Sequence, residues 1–270
     1  MINGTSLRLL QISDAHLSAD PAAYYRGVHP YARLQQLMPA IQHWQPDIVV
    51  ASGDLSHDCS PASYQHLVEA LSPLPCPVML IPGNHDDIQQ QRALCIQQPS
   101  WRVLCENAWE NQHWYIDGLN SQWGDRPDGL VSEAALSALG ERLREHSEQA
   151  AIIFIHHHPF AIGTPWIDRF PLLNSQRLWQ QLAPYPQLKI LACGHTHQAF
   201  QQQRGDINII GAPACSINTQ AGVRYFKDDG KGPAARWFEL HANGQWASGI
   251  LYCGGSENAP KTMEHRLGGI

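Results

Sequence analysis

The chain has 270 residues, of which 43% are hydrophobic and 16% are charged. This length and composition exclude an intrinsically disordered protein and suit one domain with a substantial core. The net charge of −6 argues against a nucleic-acid polymer as the main partner. An acidic protein can still bind a small phosphate ester if bound metal ions supply positive charge.

The cysteines and the apolar runs bear on the cellular compartment. The seven cysteines are scattered and include no C-x-x-C pair, which predicts reduced, mostly buried thiols and not a disulfide framework or a zinc ribbon. The N-terminus lacks the basic flank and apolar core of a signal peptide, and no apolar run is long enough to cross a membrane. We therefore expect a soluble cytoplasmic protein with no membrane partner. Nothing in the sequence indicates an oligomeric state.

The first two-thirds of the chain alternates strand and helix patterns. Brief, nearly continuous apolar runs predict buried strands at 7–12, 47–51, 78–81, 151–155 and 188–192. Between them, Ser60-Pro61 predicts a helix start, because it joins an N-cap residue to proline at the first helical position. Ser132 opens a second helix. The segment 31–44 is also helical in pattern, and Pro39 is expected to kink that helix or to mark its true start.

The last third has a different pattern. Strand-like pieces at 200–204, 207–210, 236–240 and 246–252 are separated by turn residues, and Asn243-Gly244 is a strong hairpin signal. We predict an α/β fold in which a two-sheet sandwich has a mixed, largely parallel half followed by an antiparallel half. Residues 1–254 are expected to form one domain, and the polar stretch 255–270 a flexible C-terminal tail.

Polar side chains follow each of the five buried strands. They form the groups Asp14-Ala-His16, Gly53-Asp54, Gly83-Asn84-His85-Asp86, His156-His157-His158 and Gly194-His195-Thr-His197. In open α/β sheets, ligands bind beyond the carboxyl ends of the strands, so these groups are expected to meet in one crevice. Aspartate, histidine and asparagine suit hard or borderline divalent metals. Glycines beside them allow the backbone to turn sharply.

Each motif has an ordinary structural explanation when it is taken alone. Asp-x-His occurs by chance, Gly-Asp after a strand is usually a turn, and a single histidine is more often a structural group than a ligand. Gly-His-x-His is more specific, because two histidines one residue apart on an extended chain point the same way. The occurrence of all five motifs in order, each at a predicted strand end, favours a metal site.

The complete set resembles the signature of the calcineurin-like metallophosphoesterases and spans 14–197, about two-thirds of the chain. A narrower resemblance is to the bacterial class III cyclic-AMP phosphodiesterases. It rests on five segments of the sequence: the opening Leu-Gln-Ile-Ser-Asp-Ala-His-Leu, the triple histidine with Pro159, Trp166-Ile-Asp168, Cys193 to Gln198, and the closing Trp-Phe-Glu-Leu-His-Ala-Asn-Gly. The superfamily resemblance implies a sandwich with helices outside both sheets, in αββα layers.

The resemblance also implies roles for individual residues. The first metal ion would be held by Asp14, His16 and His197, the second by Asn84, His156 and His195, and both by Asp54, whose two oxygens can reach one ion each. The ions would be divalent or trivalent iron, manganese, zinc or cobalt. A metal-bridging hydroxide would attack phosphorus, and His85 would protonate the leaving oxygen. Residues implied to contact substrate are His16, Asp54, Asn84, His85 and His197.

Several assignments stay open on the sequence. Position after the strand favours His156 as the ligand, whereas counting back from Pro159 favours His157. Adjacent residues on an extended chain point to opposite faces, so the two are not expected to serve one ion. Asp58 and Asp86 are expected to orient a histidine and not to bind metal. Trp166 and Asp168 either line the substrate pocket or belong to an ordinary surface loop.

The resemblance implies that the protein binds a cyclic nucleotide and hydrolyses it, most specifically 3′,5′-cyclic AMP to 5′-AMP. Another phosphodiesterase or a phosphomonoesterase would use the same metal site. A non-catalytic scaffold of this fold would be expected to lack some ligands or His85, and all of these positions are filled here. A nuclease is disfavoured by the acidic balance and by the absence of a basic run.

Overall fold

A computed structural model describes residues 6–97, 103–104 and 108–253. The strands are β1 Ser6–Ile12, β2 Ile48–Ser52, β3 Val78–Ile81, β4 Val103–Leu104, β5 Ala108–Glu110, β6 Trp114–Leu119, β7 Ala150–Ile155, β8 Leu188–Cys193, β9 Phe200–Arg204, β10 Ile207–Gly211, β11 Ala234–His241 and β12 Trp246–Tyr252. The helices are α1 Pro30–Trp44, α2 Pro61–Leu71, α3 Ile88–Gln97, α4 Glu133–Glu145 and α5 Ser175–Leu182. All nine predicted strands are therefore confirmed, within two residues at each end. The predicted flexible tail lies outside the described residues.

The strands form two six-stranded sheets, in the orders β12-β11-β1-β2-β3-β4 and β5-β6-β7-β8-β10-β9. In the first sheet, β1 to β4 are parallel and β11 and β12 add an antiparallel edge. In the second sheet, β6, β7, β8 and β10 are parallel, with β5 and β9 antiparallel at the two edges. The expected division into a parallel half and an antiparallel half is therefore wrong. The four C-terminal strands separate instead, two joining each sheet.

Three layers of apolar side chains hold the sheets and helices together. Between the sheets, Leu9 and Val50 pack against side chains of the second sheet such as Phe154. Leu10 on the opposite face of β1 packs against α1 and α2. The outer face of the second sheet packs against α4 and α5 in the same way. This alternation along each strand produces the predicted αββα layers, and each fully buried aliphatic side chain contributes about 1.5–3 kcal/mol.

The helix starts follow the predicted capping chemistry. Ser60 Oγ accepts a hydrogen bond from Ser63 N at 3.1 Å, and Ser132 Oγ accepts one from Ala135 N at 3.2 Å. Helix α1 begins at Pro30 and continues through Pro39, so the expectation that Pro39 marks the start is wrong. No helix in the described ranges has both the length and the apolarity needed to cross a bilayer.

Candidate metal centre

The polar groups predicted to converge do lie together, at one end of the sandwich. The loops after β1 and β2 run side by side, because Asp14 N donates to Gly53 O at 2.9 Å and His16 N donates to Asp54 O at 2.8 Å. The loop after β8 joins them through His195 N, which donates to Asp14 Oδ2 at 3.1 Å. Both sheets thus contribute side chains to a single site.

A first group of possible metal ligands consists of Asp14, His16 and His197, which are all buried. The Nε2 atoms of the two histidines are 3.2 Å apart, and His197 Nε2 is 3.4 Å from Asp14 Oδ1. Because His197 Nδ1 donates to Ile217 O at 2.7 Å, its Nε2 is free to present a lone pair to an ion. A cation at this point would satisfy three atoms that otherwise face one another.

Asp54 lies between the first group and a second one. Its Oδ2 is 3.7 Å from His16 Nε2, and its Oδ1 is 3.4 Å from His156 Nε2. The two oxygens of this buried carboxylate therefore face opposite groups. His85 N donates to Asp54 Oδ1 at 2.9 Å, so the loop after β3 is tied to the same carboxylate.

The second group contains His156, His157 and His195, which are all buried. His156 Nδ1 donates to Ser52 O at 2.8 Å, which leaves its Nε2 free. His195 has the opposite arrangement: its Nε2 donates to Phe170 O at 3.0 Å, and its Nδ1 is free. Backbone carbonyls thus select which nitrogen of each ring faces the site.

The site fits metal ions because several of its buried polar atoms have no hydrogen-bond partner. These atoms are Asp14 Oδ1, Asn84 Oδ1, His156 Nε2 and His157 Nε2. An unsatisfied buried polar atom is costly, and such atoms are rare in native proteins. A pair of cations coordinated by these oxygens and nitrogens removes that cost.

The backbone is strained at the same residues. Asp14, His16, Asp54, His195 and His197 all have positive φ, between 48 and 66°. This left-handed conformation is uncommon for residues other than glycine and concentrates at functional sites. Five of the eight such residues in the described part of the chain belong to this one site. The fold therefore gives up some stability here to direct these side chains inward.

Charge is distributed unevenly among the side chains of the site. Burial opposes ionisation of Asp54, but His156 and His16 outweigh it and hold the pKa of this carboxyl well below its ordinary value. Burial also lowers the tendency of His156 to protonate, yet Asp54 raises the pKa of His156 to about 9. For His16 and His195, burial dominates and lowers the pKa. The ionised Asp54 carboxylate thus favours positive charge beside it, from His156 or from a bound cation.

His156 and His157 both reach the site, so the expectation that they point to opposite faces is wrong. Their ring centroids are 5.0 Å apart, and the centroids of His157 and His195 are 4.7 Å apart. His156 and His157 follow β7 in bends, where the two-residue alternation of a strand no longer applies. His157 Nδ1 lies 2.7 Å from Ser121 Oγ, whereas His156 Nε2 faces Asp54.

The two carboxylates expected to orient histidines accept hydrogen bonds from loop backbones. Asp86 accepts hydrogen bonds from the backbone N of Leu55, Ser56 and Gly83 and from the Tyr64 hydroxyl. Asp58 accepts hydrogen bonds from the N atoms of Ala19 and Ser60. Both carboxylates therefore stabilise the loops that hold the candidate ligands, and their predicted role in orienting a histidine stays a prediction. Asp168 also accepts from backbone, at Ile162 N and Thr164 N, and Trp166 is buried near His197.

The sequence patterns missed His57, which follows β2 by five residues. Its ring centroid is 5.3 Å from that of His85 and 5.7 Å from that of His16. The three histidines offer nitrogens within 4.8 Å of one another. His57 belongs to no paired motif and lies in an exposed loop, so no sequence signal distinguished it from a surface residue.

Gly53→Ala is expected to disrupt the second group. Gly53 has φ of +97°, and a Cβ atom there would lie 2.3 Å from His156 Nδ1 and 2.8 Å from Gly83 N. The methyl group must displace the ring that bonds Ser52 O, so the variant should bind metal more weakly at the second group and lose most of its activity. Elemental analysis of the purified variant measures the loss.

Gly244→Ala is the matched control for that substitution. Its φ is +80°, but the added Cβ would meet Ala150 Cβ at an ordinary 3.6 Å. It carries the backbone penalty of roughly 1 kcal/mol without the clash. An equal loss of metal in both variants would contradict the steric explanation.

Comparison with known proteins places the chain in a family. A family model for calcineurin-like phosphoesterases matches residues 7–199. The chain belongs to this family. It is therefore a metal-dependent phosphoesterase by membership, and its histidine and aspartate groups indicate two divalent metal ions.

The curated relatives are similar over nearly their whole length. One is the 3′,5′-cyclic adenosine monophosphate phosphodiesterase CpdA of Pseudomonas aeruginosa, 33% identical over 91% of this chain and 89% of the relative. The protein of the same name from Escherichia coli K12 is 33% identical over 88% of this chain and 86% of the relative. Among solved structures, a dimetal phosphatase from Danio rerio has a TM-score of 0.69 at 13% identity, covering 93% of this chain and 98% of that one. That likeness concerns the fold.

Proposed function

We propose that this protein hydrolyses 3′,5′-cyclic AMP to 5′-AMP at a centre of two metal ions. The proposal for the substrate rests on one observation: 33% identity over 91% of the chain to a relative named as a cyclic-AMP phosphodiesterase. The complete ligand set supports the reaction class, because phosphate esters are hydrolysed at paired metal sites in which one carboxylate can serve both ions. Iron, manganese, zinc and cobalt all suit these ligands.

We assign the ligands from the atoms that face each group. Asp14, His16 and His197 would hold one ion, and Asn84, His156 and His195 the other. Asp54 would serve both, since its oxygens face His16 and His156 at 3.7 and 3.4 Å. His156 is favoured over His157 for this role because its free Nε2 faces that shared carboxylate. Two ions bound there would activate water and neutralise charge on the phosphate.

The side chains around the metal centre would bind the phosphate and protonate the leaving oxygen. If Asn84 Oδ1 binds metal, its amide N–H groups are available to donate to a phosphate oxygen. His16, Asp54 and His197 would lie beneath the bound phosphate and contact it. His85 lies at the rim with its ring 5.1 Å from that of His16, where it can donate a proton to the departing ester oxygen.

The enzyme is expected to prefer a phosphodiester to a monoester of the same nucleoside. The reason is its similarity to diesterases, with a smaller contribution from the net charge of −6, which disfavours a dianion more than a monoanion. The measurement compares kcat/KM for cyclic AMP with that for 5′-AMP, using protein whose metal content is determined by elemental analysis. Release of phosphate from 5′-AMP with cyclic AMP untouched would make the protein a phosphomonoesterase.

A further inference from the structure

An aromatic cluster lies against the first ligand group, and we define it as Tyr25, Trp166 and Phe226. The Tyr25 ring stacks on the His16 ring with centroids 4.1 Å apart and planes at 21°. Trp166 and Phe226 each lie with their ring centroids 6.2 Å from that of His197, edge to face. The three rings of the cluster therefore contact the rings of His16 and His197 directly.

Arg26 lies over this aromatic cluster. Its Cζ is 4.4 Å from the Phe226 centroid, 5.3 Å from that of Tyr25 and 5.4 Å from that of Trp166. Its Nε donates to the Tyr25 hydroxyl at 3.0 Å. Within the described ranges, the exposed Arg26 makes one hydrogen bond, to the Tyr25 hydroxyl, and forms no ion pair with a carboxylate. The rings hold the guanidinium in place while its outer N–H groups stay available.

The backbone presents Arg26 at some cost. Arg26 and Gly27 have φ of 48° and 86°, and Tyr25 and Val28 exchange two backbone hydrogen bonds of 2.9 and 3.0 Å around them. A two-residue turn with positive φ at both positions favours asparagine or glycine at the first. An arginine in that place is strained, and such strain is typical of functional positions.

A second donor without an acceptor belongs to the same cluster. Trp166 is 6% exposed, and its Nε1 is buried with no hydrogen-bond partner. Arginine and the indole nitrogen can only donate. A ligand bound here therefore has to offer acceptor atoms and a flat apolar surface, close to a phosphate held at the metal centre. The ring nitrogens and faces of a purine meet both requirements.

We propose that Arg26 and the aromatic cluster bind the purine base of the nucleotide, with Arg26 and Trp166 donating to its ring nitrogens. This inference rests on the proposed function. It makes Arg26 a specificity-determining residue that acts on the base and not on the phosphate. Binding of a ligand with a base should therefore depend on Arg26, whereas binding of the same ligand without a base should not.

Competitive inhibition by two matched ligands tests this inference. Hydrolysis of a chromogenic phosphodiester reports the inhibition constants of 5′-AMP and of ribose 5-phosphate, which lacks only the base. Arg26→Ala should weaken inhibition by 5′-AMP about 10- to 100-fold, the loss expected for hydrogen bonds from a charged donor. Inhibition by ribose 5-phosphate should change by less than about threefold, since no base is present to contact Arg26. Arg26→Lys should show an intermediate loss, because an ammonium lacks the planar fork.

Two further variants separate base binding from structural damage. Trp166→Phe keeps a ring and removes only the N–H donor, so it should weaken 5′-AMP inhibition by a smaller factor. Arg204→Ala removes an arginine held over Phe160 at 4.1 Å and Trp179 at 4.8 Å, on β9, and should alter neither constant. Equal losses for 5′-AMP and ribose 5-phosphate, or none for either, in Arg26→Ala and Trp166→Phe would overturn the inference.

The proposed function is tested separately, by turnover of cyclic AMP by the unaltered protein. If the unaltered protein hydrolyses cyclic AMP but Arg26→Ala changes the inhibition constants of 5′-AMP and ribose 5-phosphate equally or not at all, only the inference is overturned. Wild-type protein that ignores cyclic AMP and binds 5′-AMP no tighter than ribose 5-phosphate overturns both.

Discussion

Asp54→Ala is expected to lose most of both metal ions, whereas His16→Ala should mainly weaken the first. The reason is that Asp54 directs one oxygen toward each group, with its Oδ2 3.7 Å from His16 Nε2 and its Oδ1 3.4 Å from His156 Nε2. Loss of an outer partner of a ligand costs about 10–100-fold in metal affinity, and loss of a shared ligand should exceed this at both sites. Metal-to-protein ratios of the purified variants measure the difference.

The control for Asp54→Ala lies at the other end of the same strand. Asp47 precedes β2 and accepts from Arg8 N at 2.8 Å, far from the carboxyl ends of the strands. Asp47→Ala should keep both ions, while thermal unfolding reports whether each variant is folded. An Asp54→Ala protein that retains two tightly held ions would reject the shared role of this carboxylate.

The strands that carry the site were readable from the sequence because each is short and apolar throughout. Strands buried on both faces leave little pattern except hydrophobicity, and the polar ligand that follows each one marks its end. In β6, by contrast, Asp117 and Gly118 interrupt the apolar run, which hid this strand. Arg142 Nε of α4 lies 2.7 Å from Asp117 Oδ2 and neutralises this buried carboxylate. The two residues are far apart in the sequence, so no local sequence pattern indicates their pairing.

Sheet membership could not be predicted from local pattern. The turn Asn243-Gly244 identifies the hairpin of β11 and β12, but pairing with β1 decides which sheet it joins. The same holds for the hairpin of β9 and β10: it joins the second sheet because β10 pairs with β8. A hairpin signal describes neighbouring residues, whereas its docking depends on long-range contacts.

The predicted ligands converge, yet the details of their loops differ from the expectation. Asn84 and His85 occupy a turn, closed by Asp86 N donating to Gly83 O at 3.3 Å. The left-handed conformation of His16 and Asp54 likewise has no signature in residue type. Side-chain direction in such loops depends on tertiary hydrogen bonds, so simple alternation failed there.

His85→Ala is expected to slow cyclic-AMP hydrolysis by on the order of 10²–10⁴-fold while keeping both metal ions. His85 contributes its backbone N–H to Asp54 Oδ1 at 2.9 Å, and alanine preserves that bond. Its ring instead lies at the rim, with centroids 5.1 Å from His16 and 5.3 Å from His57. The substitution therefore removes a proton donor and leaves the ligand shell in place.

The leaving group distinguishes proton donation by His85 from a loss of packing. A nucleoside alkoxide needs a proton as its bond to phosphorus breaks, whereas a nitrophenolate leaves without one. The loss in kcat/KM on a nitrophenyl phosphodiester should therefore be much smaller than the loss on cyclic AMP, and inhibition by inorganic phosphate should change little. His57→Ala removes the neighbouring histidine of the same rim and controls for changes in local charge. Equal losses on both substrates would exclude a general acid at His85, and a variant stripped of metal would make this residue a ligand.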